Sequence, residues 1–217
     1  MYEDNKTVVT TQALYRMPYY IQQLRILQSN NTELVSAPYI AELLNLNEVQ
    51  VRKDFAAVSS AKGKPKAGFS VSELLNNMEE LLGYNNYDEA VLVGTGPLAQ
   101  AILAHEGFQN YGLKIVAAFD GNTDCIGSEI NGIKILPVDK ISNLCRRMFV
   151  HIGIITVPAQ QAQVVCDQLV AGGVLAIWNF APVHLSVPED IHVQNENLVA
   201  SLAMLTKHLK QAMKPNT

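Results

Sequence analysis

Cysteine is scarce in this chain, and its scarcity excludes two classes of protein. Only Cys125, Cys145 and Cys166 occur; they form no Cys-x-x-Cys pair and have no histidine at ligand spacing. Neither a disulfide framework nor a zinc site is suggested, which leaves three ordinary reduced thiols and no metal. Long apolar runs are also missing, since nothing approaches the roughly 20 residues that a membrane span requires. The polar start, Met1 to Thr10, lacks the apolar region of a signal peptide, so a cytoplasmic protein with no membrane partner is expected. Positive charge is short overall, the formal net charge being −4, which discourages a nucleic-acid partner until the charge is divided along the chain. The first 70 residues hold eight Lys/Arg against six Asp/Glu, net +2, and the rest hold eight against fourteen, net −6. A hydrophobic content of 48 % excludes disorder throughout.

The amino-terminal third reads as helices. Leu14, Met17, Ile21, Leu24 and Leu27 recur at helical spacing and predict a helix from Thr11 to Ser29, stopped by Asn30 and Asn31. Ser36 followed by Ala37-Pro38 is a cap for a short helix over Tyr39 to Leu44. Asn47 caps a third helix over Glu48 to Val58, with Gln50 placed as in a capping box. Two short helices joined by so tight a connection make a helix-turn-helix, and its second helix carries Gln50, Arg52 and Lys53.

After it come Ala61-Lys62-Gly63-Lys64-Pro65-Lys66, a lysine-studded turn, and a short strand with Phe69 and Val71, together resembling the wing of a winged helix. From Arg52 to Lys66 there are five basic residues and one acid, Asp54, so Asn47, Gln50, Arg52, Lys53, Lys62, Lys64 and Lys66 are candidate contacts to double-stranded DNA. Three amphipathic helices that merely pack together would read the same way. A helix capped by Ser72 and running through Leu82, then Gly83-Tyr84-Asn85-Asn86, place a domain boundary near residue 84.

Beyond the boundary the pattern turns to alternating strands and helices. Glu89 to Val93 is a buried strand, followed at once by Gly94-Thr95-Gly96-Pro97-Leu98-Ala99 and an apolar helix to His105. Each small residue has a use: Gly94 for the tight turn, Gly96 for close approach of backbone to a pyrophosphate, Ala99 for packing the helix on its strand. A second strand, Ile115 to Phe119, ends in Asp120, whose carboxylate suits the ribose hydroxyls of NAD(H) and repels the 2′-phosphate of NADP(H). Further strands at Ile133 to Leu136, Val150 to Ile155 and Val174 to Trp178 complete a small Rossmann-like parallel sheet. At the ends of the last two lie Thr156-Val157-Pro158-Ala159 and Asn179-Phe180-Ala181-Pro182, where ligands of such sheets bind, unless the prolines simply end the strands. A last helix, Glu196 to Met213, sets Leu198, Leu202, Leu205 and Leu209 on one stripe that fits either its own domain or another subunit, and a homodimer is expected.

The expected fold is therefore α/β: a winged helix-turn-helix over residues 1–84, a Rossmann-like domain over 85–194 and a dimerisation helix over 195–217. With Gln50-Val51-Arg52-Lys53-Asp54, the Gly94 to Ala99 loop, Phe119-Asp120, Thr156 to Ala159 and Asn179 to Pro182 in this order, the chain closely resembles the Rex family of bacterial redox-sensing transcriptional repressors. That resemblance implies a homodimer on a palindromic operator, released when NADH rises relative to NAD, with the carboxyl-terminal helix exchanged between partners. Two departures stand out. The family's Ser-Tyr-Phe-Gly run after the recognition helix is Ala56-Ala57-Val58-Ser59 here, and its wing glycine and basic residue meet Pro65-Lys66-Ala67. The family's switch residues, an Arg, a Tyr and an Asp, align with Gln22, His105 and Asn197, so the redox response is open to alteration.

A small NAD-dependent dehydrogenase is the rival from another class, but about 25 residues after the sheet leave no room for a substrate domain, and no enzyme is expected. Two other readings keep the fold: a regulator of the same build that binds coenzyme A or another adenine nucleotide, and a nucleotide-dependent interaction protein without a DNA role.

Overall fold

The computed structural model describes residues 9–59, 68–86 and 88–213, and divides into two compact units between Asn85 and Asn86. In the amino-terminal unit, α1 (Thr11–Ser29) begins at Thr10, whose hydroxyl accepts from the Ala13 amide, and buries Met17, Tyr20, Ile21 and Leu24. Strand β1 (Leu34–Val35) leads into α2 (Ala37–Leu43), capped by Ser36, and α3 (Glu48–Val58), capped by Asn47. Asn45 turns the chain between them at φ 51°, a left-handed conformation that asparagine tolerates. Strand β2 (Phe69–Ser70) pairs antiparallel with β1, and α4 (Val71–Leu81) closes the unit against α1. Ile40, Val51, Phe55, Leu74 and Met78 complete one apolar core with the α1 residues.

Several local expectations need correcting. The capping box forms by half: Asn47 accepts from the Val49 and Gln50 amides, but Gln50 turns its side chain to Asp54 and not back to the cap. Val71 belongs to α4, whose cap is Ser70 rather than Ser72, because the Ser70 hydroxyl accepts from the Glu73 amide. Strand β1 is too short to show a period and was not expected. The wing lysines Lys62, Lys64 and Lys66 lie outside the described residues.

The second unit is a seven-stranded sheet built from β3 (Asp88–Val93), β4 (Leu113–Asp120), β5 (Glu129–Ile130), β6 (Ile133–Pro137), β7 (Ile152–Ile155), β8 (Ala176–Asn179) and β9 (His192–Asn195). The spatial order is β5-β6-β4-β3-β7-β8-β9, with every pairing parallel except β5 with β6. Leaving aside the small edge strand β5, this is the doubly wound order 3-2-1-4-5-6. Helices α5 (Pro97–Ala104), α6 (Ile141–Met148) and α7 (Ala159–Ala171) make the connections. Strands β5 and β9 were not anticipated; both are short, and β9 reads His-Val-Gln-Asn with three exposed side chains, so neither carries an apolar pattern. Strands β7 and β8 each begin two residues later than their apolar runs, since Val150 and Val174 are buried before pairing starts. Cys145 and Cys166 lie in the core, where burial pushes both thiols up to about 11, outside any reactive range.

Helix α8 (Leu198–Ala212) follows, capped by Asn197, whose side chain accepts from the Ala200 amide. Every described side chain on it is exposed, including Leu202, Leu205 and Leu209. Among the described residues no helix is long and apolar enough to cross a membrane, and no group of three or more His, Cys, Asp or Glu could hold a metal.

Candidate functional site

Strand order reverses between β3 and β7, and a doubly wound sheet opens a crevice at such a point, outside the carboxyl ends of its strands. Gly94 lies there at φ 101°, where an added Cβ would stand 2.8 Å from the Thr156 hydroxyl and 3.1 Å from its carbonyl carbon. The same hydroxyl donates to the Val93 carbonyl at 2.9 Å, so the ends of β3 and β7 are stitched together with no room for a side chain. The Gly94 amide donates to the Phe119 carbonyl at 2.8 Å, tying the turn to β4 as well.

Thr95 carries this outward to Asp120. Its amide donates to Asp120 Oδ2 at 2.8 Å, its hydroxyl to the same oxygen at 2.6 Å, and the Asn122 amide reaches Oδ1 at 2.8 Å. Burial alone would raise the pKa of this carboxyl; the Thr95 hydroxyl and the amides of Asn122, Thr95 and Gly121 outweigh it and hold the pKa below the ordinary carboxylate range. Asp120 is thus a fixed anion on a half-exposed site, with Cys125 Sγ 3.7 Å from the Thr95 hydroxyl.

Helix ends supply the complementary feature. Helices α1, α2, α3, α4 and α8 each have a side chain accepting from their first turn, whereas α5, α6 and α7 have none; of these, α5 and α7 begin at Gly96 and Pro158, just after the two strands that flank the crevice. Uncapped first-turn amides attract an anion. An added Cβ on Gly96 would meet nothing within 4 Å, so the backbone there is open to a close approach. Pro97 and Leu98 are exposed beside it, and Ala99 is buried against the sheet. The residues fit a dinucleotide: an open glycine and free helix amides for the pyrophosphate, and an aspartate at the end of the neighbouring strand for the ribose.

On the far side Val157 is buried and Pro158 exposed. Asn179 departs from expectation: it is fully buried, donating to Val183 O at 2.9 Å and Asn195 Oδ1 at 2.8 Å and accepting from the Ala181 amide at 3.0 Å. Its amide shapes the Phe180-Ala181-Pro182 turn. Phe180 packs on Trp178, with ring centroids 4.8 Å apart. His105 Nδ1 accepts from the Gly107 amide at 2.9 Å, and the ring lies on Phe108.

In the amino-terminal unit, Val49, Arg52, Lys53 and Ala56 share the exposed face of α3 at spacings of three and four. Arg52 is ion-paired with Glu48 one turn earlier. Gln50, expected on that face, is half-buried on its flank and donates to Asp54 Oδ1 at 2.9 Å. Asp54, 3 % exposed, also accepts from Arg16 Nε at 2.8 Å, Arg16 Nη2 at 3.0 Å and the Tyr20 hydroxyl at 2.8 Å, which fills its four acceptor positions. Burial would raise its pKa, but Arg16, then Gln50 and Tyr20, pull it below the ordinary value. Burial pushes the Tyr20 hydroxyl up, so it remains a donor. This network was missed in the sequence, although a lone acid at the helical spacing of Val51, Phe55 and Val58 was a signal for it. Arg25, one turn from the exposed Gln22, is ion-paired with Glu79 at 2.7 Å.

Comparison with known proteins agrees with both halves. A family described as "Putative DNA-binding protein N-terminus" matches residues 9–56, and one described as "CoA binding domain" matches residues 85–183. The redox-sensing transcriptional repressor Rex of Bacteroides fragilis is 38 % identical over 94 % of this chain and 93 % of its own length. That of Clostridium beijerinckii is 36 % identical over 94 % and 96 %. Among solved structures, RSP, a Rex-family repressor, in complex with β-NAD+ and operator DNA superimposes with a TM-score of 0.87 at 30 % identity, covering 95 % of both chains. RSP with β-NADH gives 0.81 at 30 % identity over 95 % of this chain and 97 % of that one. The chain belongs to the Rex family of redox-sensing transcriptional repressors.

Proposed function

We propose that this protein is a cytoplasmic, homodimeric repressor that binds a palindromic operator through its amino-terminal unit and releases it when NADH occupies the carboxyl-terminal unit. The observation that carries the ligand half is the Thr95 clamp on Asp120, which holds an anion ready for a ribose diol at the end of β4. Gly94, Thr95, Gly96, Pro97, Leu98 and Ala99 cradle the pyrophosphate, with Thr156, Val157 and Pro158 opposite and Phe180, Ala181 and Pro182 bordering the nicotinamide end. Asn179 supports that border from below. The bound nicotinamide supplies a ring charge that differs between NAD+ and NADH, which is what a redox sensor has to distinguish.

For DNA, Arg52 and Lys53 on α3 supply cations, joined by Asn47 and Gln50 beside them and by Lys62, Lys64 and Lys66. The exposed stripe Leu202, Leu205 and Leu209 on α8 supports a homodimer, because a solvated apolar stripe of this length gains free energy only against a partner. Replacing Leu202 and Leu205 by Asp should convert a dimer to a monomer in sedimentation; an unchanged dimer would remove α8 from the seam.

The test is fluorescence anisotropy of a duplex selected by the protein from a random pool, titrated with NADH, NAD+ and coenzyme A at fixed salt. Release by NADH alone is expected. Release by coenzyme A would favour the ligand class that names the 85–183 match. Indifference to all three would mean that Gln22, His105 and Asn197 have cost the switch its response.

A further inference from the structure

The exposed face of α3 is not uniformly polar. Val49, 60 % exposed, and Ala56 lie along its middle, with Arg52 and Lys53 between them. Gln50, the residue best suited to hydrogen-bond a base, is committed to Asp54 on the flank. Asp54 has no remaining acceptor position, and Arg16 and Tyr20 hold it in place, so the amide of Gln50 is tethered away from the face. The outer surface of the recognition helix therefore offers an apolar strip bordered by two cations. Arg52 is held by Glu48, but an exposed ion pair within one helix is weak and exchanges readily for a phosphate.

In the major groove the C5-methyl of thymine is the apolar group on the base edges, and side chains such as alanine read it by contact. A β-branched side chain at the second position of the helix is rigid and needs no ordering before contact. Resting on the reading of this unit as DNA-binding, we propose that Val49 and Ala56 are specificity-determining residues that select thymine by its methyl group, Arg52 and Lys53 anchoring the helix on either side.

The test uses the full chain and duplexes it selects from a random pool. Each thymine is replaced in turn by deoxyuridine, which removes the methyl and leaves the hydrogen-bonding pattern intact, and binding is followed by anisotropy at fixed salt. One or two thymines should each show a roughly fourfold loss of affinity, the value of one buried methyl. With Val49→Ala the loss at one of these positions should shrink to less than about twofold, and with Ala56→Ser the same should happen at the other. Both side chains are exposed, so neither variant threatens the fold. The inference is overturned if deoxyuridine costs nothing at any thymine, or if its cost is the same in both variants as in the parent. If no duplex is enriched and binding does not depend on sequence, the DNA-binding reading itself fails, and the inference falls with it.

Discussion

Asp54 and Asp120, one in each unit, are both held below the ordinary carboxylate pKa, yet by different means. Asp54 is sealed in the amino-terminal unit by side chains alone, two of them from α1, 34 and 38 residues away in the chain. Asp120 is half-exposed at the carboxyl end of β4 and is held by a threonine and nearby backbone amides. The first joins α1 to α3; the second keeps a charge where solvent can reach it. A depressed pKa alone thus does not mark a functional group, and exposure and the origin of the donors do the separating.

Substitutions should widen that contrast. The largest effect is expected for Asp54→Ala, which leaves Arg16 as an uncompensated, mostly buried charge and should destabilise the amino-terminal unit by about 3–5 kcal/mol in urea unfolding. A loss below about 1 kcal/mol would show that the network contributes little. Because Asp54 has a lowered pKa in the folded state, its contribution is complete above the unfolded carboxylate value and is lost as pH falls through the folded one. The gap between parent and Asp54→Ala should therefore be full at neutral pH and close below about pH 4.

Gly94→Val comes next, since the left-handed φ and the Thr156 contact both forbid a side chain, and a cost of about 1–3 kcal/mol in the second unit is expected together with loss of NADH affinity. Gly96→Val should leave thermal unfolding unchanged, having open space for its side chain, while weakening NADH about tenfold by calorimetry. Equal effects of the two on stability would break the distinction drawn between the glycines. A loss of stability of about 1 kcal/mol, below that of Gly94→Val, is expected for Asp120→Asn, with NADH weakened about tenfold and its preference over NADPH reduced. An intact preference for NADH would remove Asp120 from the ribose site.

The long elements were legible from periodicity and caps, and α1 begins and ends at the residues that Leu14, Met17, Ile21 and Leu24 mark. The nucleotide loop was legible because its chemistry is local: Gly94 to Ala99 follow one another, and Asp120 ends the next strand. The short strands β1, β5 and β9 were not, since two to four residues show no period and exist only through their partners. The burial of Asn179 was not legible, because a polar residue after a strand looks the same whether its amide faces a ligand or a turn.

What the sequence determined by itself is the order of elements, the glycine loop with its acid partner, and the family, because each is written in adjacent residues or regular spacings. Only the tertiary structure decided that Gln50 turns away from the exposed face of α3, that Asp54 is sealed and Asp120 open, and that Thr156 closes the turn at Gly94. Apart from the Gln50–Asp54 contact, one turn apart on α3, those facts depend on groups 25 to 63 residues apart meeting within hydrogen-bond distance, and such meetings follow from packing rather than from local pattern.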